Sequence, residues 1–225
     1  MHLYIPRYAE PFVPRIRGAI IVMVDTELYH VKRQMMTKIS PASTRDRLLE
    51  TAARLFFQNG YRAVGVDTIT AESGIGKMTL YRHFDSKDDL IAAYLQDSNM
   101  KFWEEFENSM RGAPSPREKL TAFFKALASL VTKPNCYGCP FLNVTTEYPD
   151  RTYPGHKVAL EHKESVRKRF RELAAQAGAK NPAALADQLF LLMDGAFMAV
   201  RMYGPHNPAS HLVEAAETLI NAQIK

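Results

Sequence analysis

Two cysteines and one tryptophan in 225 residues are the scarcest side chains here, and the cysteine count is the more informative. A chain of this size with two cysteines has no disulfide framework to hold it together and suits a reducing compartment, so a cytoplasmic protein is expected. Long hydrophobic runs are missing from the N-terminal region as well. Its one apolar run, residues 19–24, is far too short to cross a bilayer, and no small-residue cleavage site follows it, so no membrane partner is expected. Glycine and proline, 11 and 13 in number, are too few for a collagenous or low-complexity chain, and no alternating strand pattern of consequence occurs. Nothing supplies a nucleotide-binding loop, a convincing catalytic triad or a cofactor motif, so neither an enzyme nor a cofactor is expected. What remains is a globular, all-α composition, 46% hydrophobic and 24% charged. The net charge of +5 is compatible with a polyanionic partner, yet residues 41–90 hold seven Lys/Arg against seven Asp/Glu. Any positive footprint there must be local, at Lys77, Arg82 and Lys87.

The most informative stretch is residues 66–84, VDTITAESGIGKMTLYRHF. Two helical turns, with Val66, Ile69 and Thr70 on one face, end at Gly74 and Gly76, and a second helix restarts at Lys77. Leu80 and Phe84, four apart, can face inward. The remaining positions then form the surface of a recognition helix: Lys77 and Arg82 reach phosphates or guanine edges, Thr79 and Tyr81 donate to phosphate, Met78 touches a thymine methyl, and His83 completes the exposed set.

The string GIGKMTLYRHFDSKDDL resembles the end of the helix-turn-helix of the tetracycline-repressor (TetR) family, where Gly-[Val/Ile]-x-Lys-x-Thr-Leu-Tyr-x-[His/Tyr]-Phe precedes Ser-Lys-x-x-Leu. LLETAARLFFQNGYRAVGVD upstream is similar to that family's first helix and its junction. The match is specific over residues 44–91 and loose beyond them. Gly76 stands where the family usually has a Ser cap, and Met78 where a small residue is common. The resemblance implies a three-helix DNA-binding domain followed by a variable helical domain that binds a small effector and dimerises. It also implies a two-fold dimer, closed by a four-helix interface, on a near-palindromic DNA operator, with recognition helices about 34–36 Å apart.

Residues 1–40 differ from the rest. One reading is an extension upstream of a natural start at Met35 or Met36; the other is a basic arm, with six Lys/Arg against three Asp/Glu through Thr44, lying along a DNA groove. The DNA-binding domain is assigned to 41–86 and the effector-binding and dimerisation domain to 87–225. Ser43 and Asp46 form a capping box for the first helix, which stops at Asn59-Gly60. Arg45 and Arg47 at its start are either phosphate contacts or solvated charges. Ser86 caps a long helix from Lys87, a candidate lever between the domains. Ser115, Pro116 and Glu118 start the next helix, and further helices are expected at about 157–177, 182–203 and 209–224. The interleaved charges of 161–172 read as a solvated helix face.

Residues 135–153 are the least regular part of this half. Cys136 and Cys139 there are open to three readings: a thiol sensor of oxidants or electrophiles, half of a metal site, or small apolar residues at a helix start. A pocket for the effector is expected among Trp103, Phe106, Phe123, Phe124, Phe141, Asn143, Met193 and Phe197, apolar walls with few polar groups. Two rivals to a regulator are a thiol oxidoreductase using the cysteine pair and a helical adaptor that dimerises without binding DNA.

Overall fold

The computed structural model describes residues 43–224, and both readings of the N-terminal extension lie outside them. Most elements begin on a capping side chain or a first-turn proline; the two helices after Gly65 and Gly76 have neither. The first helix, α1 (Thr44–Asn59), has its capping box: Ser43 Oγ accepts from the Asp46 N–H at 3.1 Å and the Asp46 carboxylate accepts from the Ser43 N–H at 3.2 Å. Helix α2 (Val66–Ser73) ends at Gly74, whose φ of 67° lies in the left-handed region. The short α3 (Lys77–His83) follows. Ser86 caps the long α4 (Lys87–Ser109) by accepting from Asp89, and Ser115 does the same for α5 (Pro116–Val131), with proline in the first turn.

The irregular stretch at 135–153 proves to contain a helix, α6 (Pro140–Glu147). Eight residues are too few for an apolar period to stand out among flanking Pro, Gly, Asn and Tyr; the signal that was there is Pro140 in the first turn behind Cys139. Helix α7 (Pro154–Gln176) also starts on a proline, about one turn earlier than the apolar spacing suggests. Asn181 caps α8 (Pro182–Tyr203). The last expected helix opens as a 3-10 turn (Pro208–His211) before α9 (Leu212–Gln223). Buried Asn207 explains the tight turn: Oδ1 accepts from the Ala209 N–H at 2.9 Å, while Nδ2 donates to the Val131 and Gly204 carbonyls at 2.8 Å each.

No strand occurs among the described residues. Helix α7 packs on α8, α6, α4 and α5, and α9 closes against α5 and α8. At the centre Phe106, Phe123, Phe124 and Phe170 stack in a cluster with neighbouring ring centroids 4.7–6.0 Å apart. Helix α8 is long and apolar enough by composition to cross a membrane. Its apolar residues divide between Leu185, Leu189, Met193, Phe197 and Val200, which are buried in this core, and Leu191, Met198 and Met202, which are exposed.

Candidate DNA-contacting surface and adjoining cavity

Helices α2 and α3 are held by Ile69, Ile75, Leu80 and Phe84, all buried against α1 residues such as Leu48, Ala52 and Phe56. Burying Leu80 and Phe84 turns the rest of α3 outward. Lys77, Met78, Tyr81, Arg82 and His83 are exposed, Met78 at 76%, while Thr79 and Lys87 are half-buried. At that exposure Met78 adds little to the core and is open to contact with another surface. Lys77 Nζ pairs with Asp67 Oδ1 at 2.9 Å, and that hydrogen bond raises its pKa. Burial pushes the Lys87 ammonium down, offset in part by Asp88 and Glu147. The two open positions in α1 are taken by the protein itself: Arg45 lies over the Phe84 ring at 5.0 Å and Arg47 donates to the Ser73 carbonyl at 3.1 Å. Both brace α1 against the α2–α3 unit.

The corner after α1 is tied to α6. Glu147, at the end of α6, accepts from the Tyr61 N–H at 3.0 Å and the Arg62 N–H at 2.7 Å. Tyr61 Oη donates to the Pro140 carbonyl, at the start of the same helix, at 2.9 Å. Gly60, with φ 89°, stands where an added Cβ would come within 2.8 Å of Glu147 Oε1, so the clamp requires glycine there on two grounds. Arg62 lies over the Tyr148 ring at 5.0 Å, and Tyr153, stacked on Tyr148, donates to Asp88 at the start of α4 at 2.9 Å. Composition and periodicity carried no sign of this clamp, because it joins positions 85 residues apart.

Between these parts lies a cavity of about 540 Å³. Its walls come from α1 (Ala53, Arg54, Phe57), α4 (Tyr94 to Glu105), the 133–141 stretch, α7 (His162, Lys163) and α8 (Met193, Phe197). Of the pocket residues expected from sequence, Phe141, Met193 and Phe197 line it, together with Cys136 and Cys139. Phe106 and Phe123 instead line a neighbouring hollow of about 530 Å³, which shares Phe102, Glu105, Leu130, Lys133 and Phe197 with the first. Trp103, Phe124 and Asn143 line neither. Trp103 packs on Phe102 and Phe106 at 5.4 and 5.3 Å, Phe124 is spent on the central cluster, and Asn143 Nδ2 donates to the Tyr137 carbonyl. The sequence reading missed Phe57, Phe102 and His162, which spacing alone assigns to ordinary helix interiors.

Both thiols are free and buried, and burial pushes both up in pKa; for Cys139 the nearby Lys163 works against that shift. Among the described residues no group of three or more His, Cys, Asp and Glu side chains could hold a metal ion. His156 Nδ1 lies 3.2 Å from the Tyr148 carbonyl and His162 Nδ1 lies 2.7 Å from Asn99 Oδ1, so the half-metal reading of the cysteines finds no completing ligands.

A first helix anchored by Ile69 and Ser73, a glycine corner and a short second helix with an outward polar face define a helix-turn-helix DNA-binding protein, here joined to a helical domain with an open cavity. Residues 48–94 match the model of the bacterial regulatory proteins of the tetR family, and residues 116–216 match a tetracyclin repressor-like C-terminal domain. A TetR-family transcriptional regulator from Streptomyces coelicolor, SCO4454, has the same architecture, with a TM-score of 0.77 and 33% identity over 80% of this chain and 96% of that one. The chain belongs to the TetR family of transcriptional regulators and is not an enzyme. The transcriptional repressor KstR2 of Mycolicibacterium smegmatis is 38% identical over 90 residues, 40% of this chain and 44% of its own length. The transcriptional activator FasR of the same organism is 32% identical over 87 residues, 39% and 40% of the two chains. The chain thus spans less than half the length of these curated relatives.

Proposed function

We propose that this regulator is a cytoplasmic, homodimeric repressor that leaves a near-palindromic operator when a small effector fills the cavity beside α1. The observation that carries this reading is that the cavity reaches the DNA-binding domain itself, since Phe57 and Ala53 of α1 form part of its wall. An effector there touches α1 on one side and α4, α7 and α8 on the other. It also touches Cys139, Pro140 and Phe141, the start of the helix whose far end clamps Tyr61 and Arg62. Two mechanical connections therefore lead from cavity to recognition helix, the α4 lever and the α6 clamp. The effector shifts the DNA equilibrium by its differential affinity for the two arrangements and by no more than that. For the dimer, Leu191, Gly195, Met198 and Met202 form an outward stripe at helical spacing on α8, and Gly195 leaves open space where a partner helix can approach. Helices α8 and α9 from each copy make the four-helix interface, and symmetry sets the two recognition helices in successive major grooves.

The test is a titration of the full chain against the DNA upstream of its own coding sequence at two salt concentrations, with and without candidate effectors. Tight, salt-sensitive binding weakened by an effector supports the reading; binding that every effector leaves unchanged, in a protein shown to bind those effectors, sinks the release step. Activation of a reporter on DNA binding would replace repressor by activator. Glu147→Gln tests the α6 connection: it should weaken the response to effector severalfold while leaving affinity for DNA without effector nearly unchanged, and an unaltered response would leave α4 as the sole connection.

A second reading gains one observation: Cys136 and Cys139 line the same cavity, so an apolar electrophile entering it meets a thiol. Their raised pKa values keep thiolate scarce at neutral pH. Replacing both by Ser should abolish any release by oxidants or electrophiles, and an unchanged response removes the sensor.

A further inference from the structure

His162 is the least expected group in the cavity wall. It is 3% exposed and held on three sides. Its ring stacks on Phe141, centroids 3.7 Å apart and planes 13° apart, and meets the edge of Phe102 at 4.7 Å. Nδ1 is 2.7 Å from Asn99 Oδ1. That amide oxygen can only accept, so Nδ1 carries the proton and Nε2 carries the lone pair. The ring thus presents one fixed acceptor beside the apolar side chains of Phe57, Phe102, Phe141, Met193 and Phe197, in a wall that also holds Ser98 and Asn135.

The charges around the cavity are matched among themselves. Lys163 pairs with Asp194, Lys101 with Asp97 at 2.6 Å, and Arg54 with Glu72 at 2.7 Å; the other two charged lining residues, Lys133 and Glu105, are of opposite sign. Three of the four cations that line the cavity thus already have carboxylate partners, and an ionised ligand gains less from them for the water it gives up.

We propose that the cavity takes an uncharged, largely aromatic ligand bearing a hydroxyl group, whose O–H donates to Nε2 of His162. The stacked and edge-on rings supply flat apolar contact, and the acceptor set among those rings selects the hydroxyl, because a ligand without a donor leaves that nitrogen dehydrated and unpaired. Burial, and secondarily Lys163, hold the ring's pKa down to about 3, so the acceptor persists across the physiological range. This assignment rests on the cavity being the effector site, and it concerns binding alone.

The experiment is calorimetric titration of the full-length protein, without DNA, using three probes of one shape: 4-hydroxybiphenyl, 4-methylbiphenyl and biphenyl-4-carboxylate. Emission of Trp103, whose ring centroid is 6.5 Å from that of His162, reports whether the probe is in this cavity. The phenol should bind about tenfold more tightly than the methyl compound and more tightly than the carboxylate. His162→Phe, which keeps the stack and removes the acceptor, should erase the preference for the phenol and leave the methyl compound's affinity nearly unchanged. Equal binding of phenol and methyl compound to the unmodified protein overturns the proposal without any variant, as does tightest binding of the carboxylate or binding of none of the three. A phenol that binds as expected but leaves DNA affinity untouched counts against effector release and leaves this assignment standing.

Discussion

The proposed DNA-contacting residues stand, apart from Lys87 at the start of α4, on one seven-residue helix, whereas the cavity draws on α1, α4, Leu130 of α5, the start of α6 with the stretch before it, α7 and α8. On α3 the functional side chains are those the core rejects: once Leu80 and Phe84 are buried, helical geometry turns Lys77, Met78, Tyr81 and Arg82 outward. In the cavity the candidate side chains Phe141, Met193, Phe197 and His162 are buried residues themselves, so binding and stability should be coupled there and separate on α3. Substitutions on the first surface should move DNA affinity alone; substitutions around the second should move stability first.

The largest effect should come from the packing behind the cavity. Phe124→Ala empties the centre of the aromatic cluster and should cost about 3–5 kcal/mol of folding stability in denaturant titration, while the α3 surface is untouched. A cost below about 1 kcal/mol would mean the cluster is not the core it is drawn as. Next is acid sensitivity. The folded-state pKa of His162, about 3, lies below the ordinary value, so between pH 6.5 and 3 the unfolded chain binds a proton that the native chain does not. Stability from this group is fully present above pH 6.5 and is lost as pH falls, by up to about 1.4 kcal/mol per unit. Burial raises the pKa of Asp194, and that carboxyl acts with the opposite sign. The check is therefore the difference between wild type and His162→Phe, whose profile should be flatter; parallel profiles would show that the imidazole titrates normally.

On the recognition surface Arg82→Ala should weaken operator binding by about tenfold or more and lower the log–log salt slope by about one, with unfolding stability within about 0.5 kcal/mol of wild type. A stability loss as large as that of Phe124→Ala would erase the contrast between the two regions. The smallest effect should follow Asp67→Asn. Removing the partner of Lys77 frees its ammonium for phosphate, and affinity at low salt should rise by less than about fivefold, fading as salt is added. Weaker binding instead would show that the pair positions Lys77 for DNA.

The helix-turn-helix was legible in the chain because all of its determinants are local: the Ser43–Asp46 box, the stop at Gly60, the αL glycine at 74 and the spacing of Leu80 and Phe84 each act within a few residues. The same holds for the starts of α4, α5 and α8. Helix α6 was legible only as the helix start in one reading of Cys136 and Cys139, for want of length, and the pocket was legible only in part. Aromatic content located Phe141, Met193 and Phe197, yet Phe124 and Trp103 have the same composition and went to packing. Periodicity tells which face of a helix is buried, and it cannot tell whether that face meets another side chain or a void.

By itself, then, the sequence determined the all-α class, the placement of nearly every helix and the outward row on α3, since hydrogen bonds and side-chain spacing within a few residues are sufficient for these. Only the tertiary structure decided that Glu147 grips the corner at Tyr61 and Arg62, that Phe57 of the DNA-binding domain borders the cavity, and that His162 is pinned between Phe141 and Asn99. Each joins residues that backbone geometry leaves independent, and only the packing of α1, α4, α6 and α7 against one another brings them within a hydrogen bond or a ring contact.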